Sequence, residues 1–228
     1  MKYIIKNSEP EAFKLWRTQQ EKSGQINYSK ENADDIWNDL KGQPIRMIEG
    51  IHYYSKPQLW AALLVEQGYL CAYCGCRLKN TIRIDHVCPK SKYKTRTFNY
   101  RNLVAVCSGE DINGERHCDN SKGSEKLPIK PTDGNCENKF SYDETGIIKE
   151  KEGDKSITVD DVLNLNTAFL IEARKNAWKI IKDDIELCSQ VEDYDEMDTI
   201  ISNVYAQNEN GEFNEYCFVQ LAYTNTLP

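Results

Sequence analysis

The segments Cys71-Ala72-Tyr73-Cys74, Ile84-Asp85-His86, Asn102-Leu103-Val104-Ala105-Val106-Cys107 and Cys118-Asp119-Asn120-Ser121-Lys122-Gly123 decide how the rest of the chain is read. Two cysteine pairs bracket a histidine that follows a carboxylate. A Cys-x2-Cys knuckle turns two thiolates onto one ion, and four such ligands complete a zinc tetrahedron that can replace the core a small ββα unit lacks. Cys71 and Cys74 supply the first pair. The expected second pair is Cys107, which ends an apolar strand, and Cys118, which opens the closing segment, so that residues 108–117 must loop out. Cys76 and His117 lie near enough to compete as ligands, but both are expected to be structural. Cys88, Cys136, Cys188 and Cys217 are expected to be buried thiols, since free cysteine is among the most buried residue types.

Composition sets the frame around this stretch. The chain has 228 residues, 39% hydrophobic and 29% charged, which is a globular rather than a disordered balance. No run approaches the roughly 20 apolar residues that cross a bilayer, and the first residues have no signal-peptide core, so a cytoplasmic protein without a membrane partner is expected. Nine cysteines then read as metal ligands and buried thiols, not as a disulfide framework. The net charge of −7 is unevenly spread. Lys and Arg against Asp and Glu number 9 and 9 over residues 1–70, 12 and 6 over 71–130, and 8 and 21 over 131–228. The positive field therefore coincides with the cysteines and His86.

Asp85-His86 suits phosphodiester chemistry. A histidine can take a proton from water, and a divalent ion held by carboxylate oxygens can neutralise charge on the phosphate. On a strand the two side chains point to opposite faces, so both serve one site only at a strand end or a bend. Around them Lys90, Lys92, Lys94, Arg96, Arg101 and Lys122 are expected to contact nucleic-acid phosphates, with Tyr93, Phe98 and Tyr100 interleaved as stacking candidates. Lys122 is expected in the first turn of a helix, where backbone donors also favour phosphate.

Taken together these residues resemble the zinc-containing HNH, or ββα-metal, nucleases. Cys71, Cys74, Cys107 and Cys118 match the structural zinc ligands, Asp85-His86 the aspartate and base histidine, and Asn102 the middle asparagine. The residue after the last cysteine holds the catalytic ion in that family. Here it is Asp119 in place of the commoner Asn or His; as a hard anionic donor it suits Mg²⁺, with Asn120 as the alternative ligand. Further segments, Glu66-Gln67-Gly68-Tyr69-Leu70 before the knuckle, Val87-Cys88-Pro89-Lys90-Ser91-Lys92 after His86, and Leu163-Asn164-Leu165-Asn166, look like the HNH subunit of Septu anti-phage systems, the PtuB family, and its retron-associated relatives. That resemblance implies an endonuclease with structural Zn²⁺ and catalytic Mg²⁺. Its implied partners are nucleic acid, an ABC/SMC-like ATPase of the PtuA type and, in retron loci, a reverse transcriptase with its multicopy single-stranded DNA (msDNA). The competing reading is a non-catalytic zinc module that binds nucleic acid or scaffolds the ATPase.

The flanks are expected to be mainly helical, giving an α+β fold around the zinc-stapled module. Three parts are expected to pack as one body: a helical scaffold over 1–70, the module over 71–130, and an acidic β-hairpin and helical region over 131–228. Ser8 and Glu11 form a capping-box pattern for a first helix from Glu9 to Glu21. Ala33, Ile36, Trp37 and Leu40 mark a second, ended by Gly42 and Pro44. Leu59, Trp60, Leu63 and Leu64 mark a third that delivers the chain to Cys71. A hairpin is expected around residues 140–148, a long helix from Thr158 to about Leu187, and two short helices after it.

Overall fold

A computed structural model describes residues 1–27, 36–37, 40, 44–48, 51–79, 82–151 and 157–227. Its helices are α1 (Glu11–Lys22), α2 (Ser55–Glu66), α3 (Cys118–Lys122), α4 (Val159–Leu163), α5 (Ala168–Gln190), α6 (Tyr194–Asn203) and α7 (Cys217–Thr224). Among the described residues there are three two-stranded antiparallel sheets. They pair β1 (Pro44–Ile48) with β2 (Ile51–Tyr54), β3 (Arg83–His86) with β4 (Leu103–Val106), and β5 (Phe140–Ser141) with β6 (Lys149–Glu150). The composition is α+β, as expected.

α1 starts two residues later than its capping pattern suggests. Pro10 is the N-cap and, having no side-chain acceptor, leaves the helix without a side-chain cap; Glu9 just before it accepts from Arg17 at 3.0 Å. Phe13 and Trp16 form its buried face, and α1 packs on α2. Of the expected second helix, Ile36 and Trp37 are helical; Ala33 and Gly42 lie outside the described residues. The β1–β2 hairpin was not anticipated. The long helix expected from Thr158 is two helices. Thr158 and Asp161 make a capping box on α4, Asn164 ends it in the left-handed conformation (φ 49°), and Thr167 caps α5 afresh.

Three side chains tie these pieces together. Glu66, at the end of α2, accepts the Lys6 ammonium, the Tyr100 hydroxyl at 2.9 Å and the Asn7 N–H at 3.1 Å, which fastens the N-terminal segment beside β4. Gln67 donates to the carbonyls of Leu70 and Ala105, both at 2.8 Å, and accepts from Ala105 N at 2.7 Å. The buried Arg174 of α5 donates to the Gly146 and Leu165 carbonyls at 2.6 and 2.9 Å and to Asn166 at 3.0 Å, so α5 holds both the β5–β6 turn and the α4–α5 link.

The segment before α7 lies against the start of the module. Phe213 N donates to Gly68 O and Tyr216 N to Gly75 O, each at 3.1 Å. Both glycines have positive φ, +55° and +80°, and a Cβ on either would come within 2.1 Å of Phe213 or 2.3 Å of Phe218. Only glycine admits these rings so close to the backbone.

Candidate active site and metal centre

β4 is buried along its whole length, and β3 pairs with it in the register Arg83↔Val106, Ile84↔Ala105, Asp85↔Val104 and His86↔Leu103. The four apolar residues Leu103 to Val106 anchor the hairpin, at roughly 1.5–3 kcal/mol for each large side chain removed from water. This places Cys107 at one end of β4 and Asn102 at the other. The knuckle docks on the same strand through Ala72 N to Ala105 O, 3.1 Å.

The Sγ atoms of Cys71, Cys74, Cys107 and Cys118 all lie within 4.8 Å of one another. Cys71 and Cys118 are 4.0 Å apart and Cys74 and Cys107 3.9 Å. A tetrahedron with Zn–S bonds of about 2.3 Å has edges of about 3.8 Å, so the set fits that ion. Cys118 takes φ +53°, a conformation that costs a non-glycine residue about 1–3 kcal/mol, so the surrounding fold holds the thiol where it is. Cys76 lies 3.4 Å from Cys74, outside the mutually close four, and His117 Nδ1 is 3.1 Å from Cys118 Sγ. Residues 108–117 loop out as expected, pinched by a bridge between Glu110 and Arg116.

A second cluster is built across the hairpin and α3. The Tyr73 hydroxyl donates to Asp85 Oδ2 at 2.5 Å, and the Lys122 ammonium reaches the same oxygen at 2.9 Å. Lys122 also donates to the His86 carbonyl at 2.9 Å. Asp119 lies against Asp85: burial first, then the charge and hydrogen bond of Asp85, push its carboxyl up to about 7. Arg83 stands at the rim, 4.0 Å from Asp119 and donating to Asn120 Oδ1 at 2.8 Å. Asn120 thus points to Arg83, while Asp119 points to Asp85.

His86 closes β3, so the strand-end condition is met, but its ring turns away from Asp85. It is 4% exposed, packs edge-on against Trp37 with centroids 4.6 Å apart, and places Nε2 2.9 Å from the Thr97 carbonyl. A carbonyl only accepts, so that contact puts the proton on Nε2 and leaves Nδ1 as the basic nitrogen. Burial lowers the imidazole pKa to about 4, which keeps the ring neutral near pH 7. Asn102 is buried and serves the loop between β3 and β4: it accepts from Cys88 N at 2.7 Å and donates to the carbonyls of Cys88 at 3.0 Å and Arg96 at 3.1 Å.

The basic residues separate into two groups. Lys92 and Arg96 are exposed, Lys92 pairing with Glu125 at 3.1 Å and Arg96 stacking over Tyr93 at 5.6 Å. Lys90 and Lys94 are half-buried on the same loop. Lys122, expected as a phosphate contact, is 1% exposed and occupied by Asp85 and His86. The five-residue α3 ends at Lys122, and that places the ammonium inside the cluster and not at an open helix start. Phe98 and Tyr100 are core residues, 0% and 3% exposed. Sequence reasoning did not single out Tyr73, Thr97 or Trp37 as site residues. A phenol between the two knuckle cysteines was the available signal for Tyr73.

These features define a class: an α+β protein around a β-hairpin and short helix, with a four-thiol centre beside a carboxylate pair. No protein-family model matches the chain. A stretch of 121 residues, 51% of this chain, is 32% identical to a protein of Bacillus thuringiensis named Septu protein PtuB. The resemblance to that family expected from the motifs is therefore matched by a relative. The matched stretch spans 44% of that protein's length, less than half of it. Among the described residues no helix is long and apolar enough to cross a membrane.

Proposed function

We propose that this chain is an HNH endonuclease that hydrolyses phosphodiester bonds of nucleic acid, DNA or RNA including tRNA, with a divalent ion. The observation that carries the reading is the meeting of Asp85 and Asp119 from two separate elements, one residue from a neutral, oriented His86 and against a four-thiol centre. Asp85 and Asp119 are hard oxygen donors that would hold Mg²⁺, and the four cysteines are soft donors that would hold Zn²⁺. A bound divalent ion neutralises charge building on the phosphate and supports the departing oxygen.

The chain's own groups divide the remaining work. His86 Nδ1 accepts the proton of the attacking water, with the Thr97 carbonyl fixing the tautomer. Asn102 sets the path of the loop that carries Lys90, Lys92, Lys94 and Arg96 toward the substrate backbone. Lys122 offsets the paired carboxylates from inside. Residues 1–70 act as scaffold, 71–130 as the nuclease module, and 131–228 as an acidic region suited to a basic partner surface. The relative's name supports a place in a Septu-type anti-phage defence complex. There the partner is an ABC/SMC-like ATPase, joined in retron-type systems by a reverse transcriptase and its msDNA.

The test is cleavage by the purified complex with His86→Ala in place of the wild type. A loss of about 10²–10⁴-fold is expected, with zinc content and fold unchanged; undiminished cleavage overturns the reading. One observation favours the second reading, a non-catalytic zinc module that binds nucleic acid or scaffolds the ATPase: the His86 ring is almost wholly buried. In that case the wild type binds nucleic acid, never cuts it, and ignores added Mg²⁺.

A further inference from the structure

We propose that Tyr73 is a positioning residue for Asp85, and that through it the cysteine knuckle sets the geometry of the divalent-ion site. The inference rests on the nuclease reading above and concerns how its carboxylate is aimed. Tyr73 lies between Cys71 and Cys74 and is 1% exposed, so its ring sits where the two ligands put it. The turn itself is tight: Gly75 N returns to Cys71 O at 3.1 Å, and Ala72 N is fixed to β4.

Its hydroxyl and the Lys122 ammonium engage one and the same oxygen, Asp85 Oδ2. Two donors on one oxygen stop the carboxylate from rotating, and they leave Oδ1 as the oxygen of Asp85 that would meet a cation. The donors differ in charge. Lys122 repels an incoming cation while it orients the carboxylate, whereas the neutral phenol orients it without that repulsion. Outer partners of this kind commonly control metal affinity by 10–100-fold. The knuckle and the carboxylate pair are thereby one linked device, with Tyr73 as the link.

Mn²⁺ binding to the full-length chain, followed by the EPR signal of the free ion, tests this without reference to cleavage. Tyr73→Phe is expected to keep its zinc and bind Mn²⁺ about 10–100-fold more weakly. Tyr142→Phe, which changes a phenol bonded to the Met1 amino group instead, is expected to bind as the wild type does. Cleavage by Tyr73→Phe should recover at raised Mn²⁺, a shift in metal KM rather than in kcat. Unchanged Mn²⁺ affinity in Tyr73→Phe, where Asp119→Asn abolishes binding, overturns the inference and leaves the nuclease reading standing. A Mn²⁺ site indifferent to Asp119→Asn overturns both. If Tyr73→Phe loses zinc, 3-fluorotyrosine at position 73 decides the matter: its ¹⁹F resonance should move saturably with Mg²⁺, and not in Asp119→Asn. A resonance unmoved by saturating Mg²⁺ is contrary to the proposal.

Discussion

The four thiols and the carboxylate pair share a hairpin and a short helix, yet they are assembled by different means. Two of the thiols come from one tight turn, and four soft donors of one kind gather within 4.8 Å of one another, a set that suits a single ion. The carboxylates come from β3 and α3, and they meet where the buried Lys122 ammonium and the Tyr73 hydroxyl both engage Asp85 Oδ2. A thiol centre is specified by ligand count and spacing. A paired-carboxylate centre is specified by what is packed around it, so it should be the more sensitive to conservative changes that leave the ligands intact.

The largest effect should come from breaking the thiol centre. Cys71→Ser is expected to lose the metal and with it the module's fold, since structural zinc in small modules contributes apparent binding free energy of about 10–16 kcal/mol; metal analysis with circular dichroism checks this. Lys122→Met should follow, at about 3–5 kcal/mol in urea unfolding, because it leaves Asp85 as an unpaired buried charge. Adding Asp85→Asn should recover most of that loss, a result the thiol centre has no counterpart for. Gln67→Ala should cost about 2–3 kcal/mol, since it strands the Leu70 carbonyl and the Ala105 N–H, while the Ala105 carbonyl keeps only its bond from Ala72 N. Lys92→Ala should be smallest, within about 0.5 kcal/mol of wild type, because its pairing with Glu125 is exposed. Its signature should instead be a shallower salt dependence of nucleic-acid binding.

The same contrast explains what could be read in the sequence. The spacing of Cys71 and Cys74 and the chemical neighbours of Cys107 and Cys118 were enough to anticipate the thiol cluster, because a knuckle is local. The proximity of Asp119 to Asp85 could be expected only through a family resemblance. Lys122 was misplaced because helix-terminus electrostatics pointed to phosphate, whereas the group that captures it is 37 residues earlier in the chain. Phe98 and Tyr100 carried the pattern of a stacking surface, but the core claimed them through Trp16, Trp37 and Glu66. The break at Asn164 had a visible cue. Asn164 tolerates the left-handed conformation and Thr167 offers a second cap, but the apolar spacing running through both residues concealed the stop.

The rings of Phe213 and Phe218, seated over Gly68 and Gly75, also bear on the order of synthesis. The knuckle leaves the ribosome about 140 residues ahead of the segment that covers it. At about 5–20 residues per second, that is roughly 7–28 seconds during which the cysteine turn exists without the rings that pack on it. A nascent chain therefore carries the Cys71–Cys74 turn well before it carries the aromatic rings that pack against it.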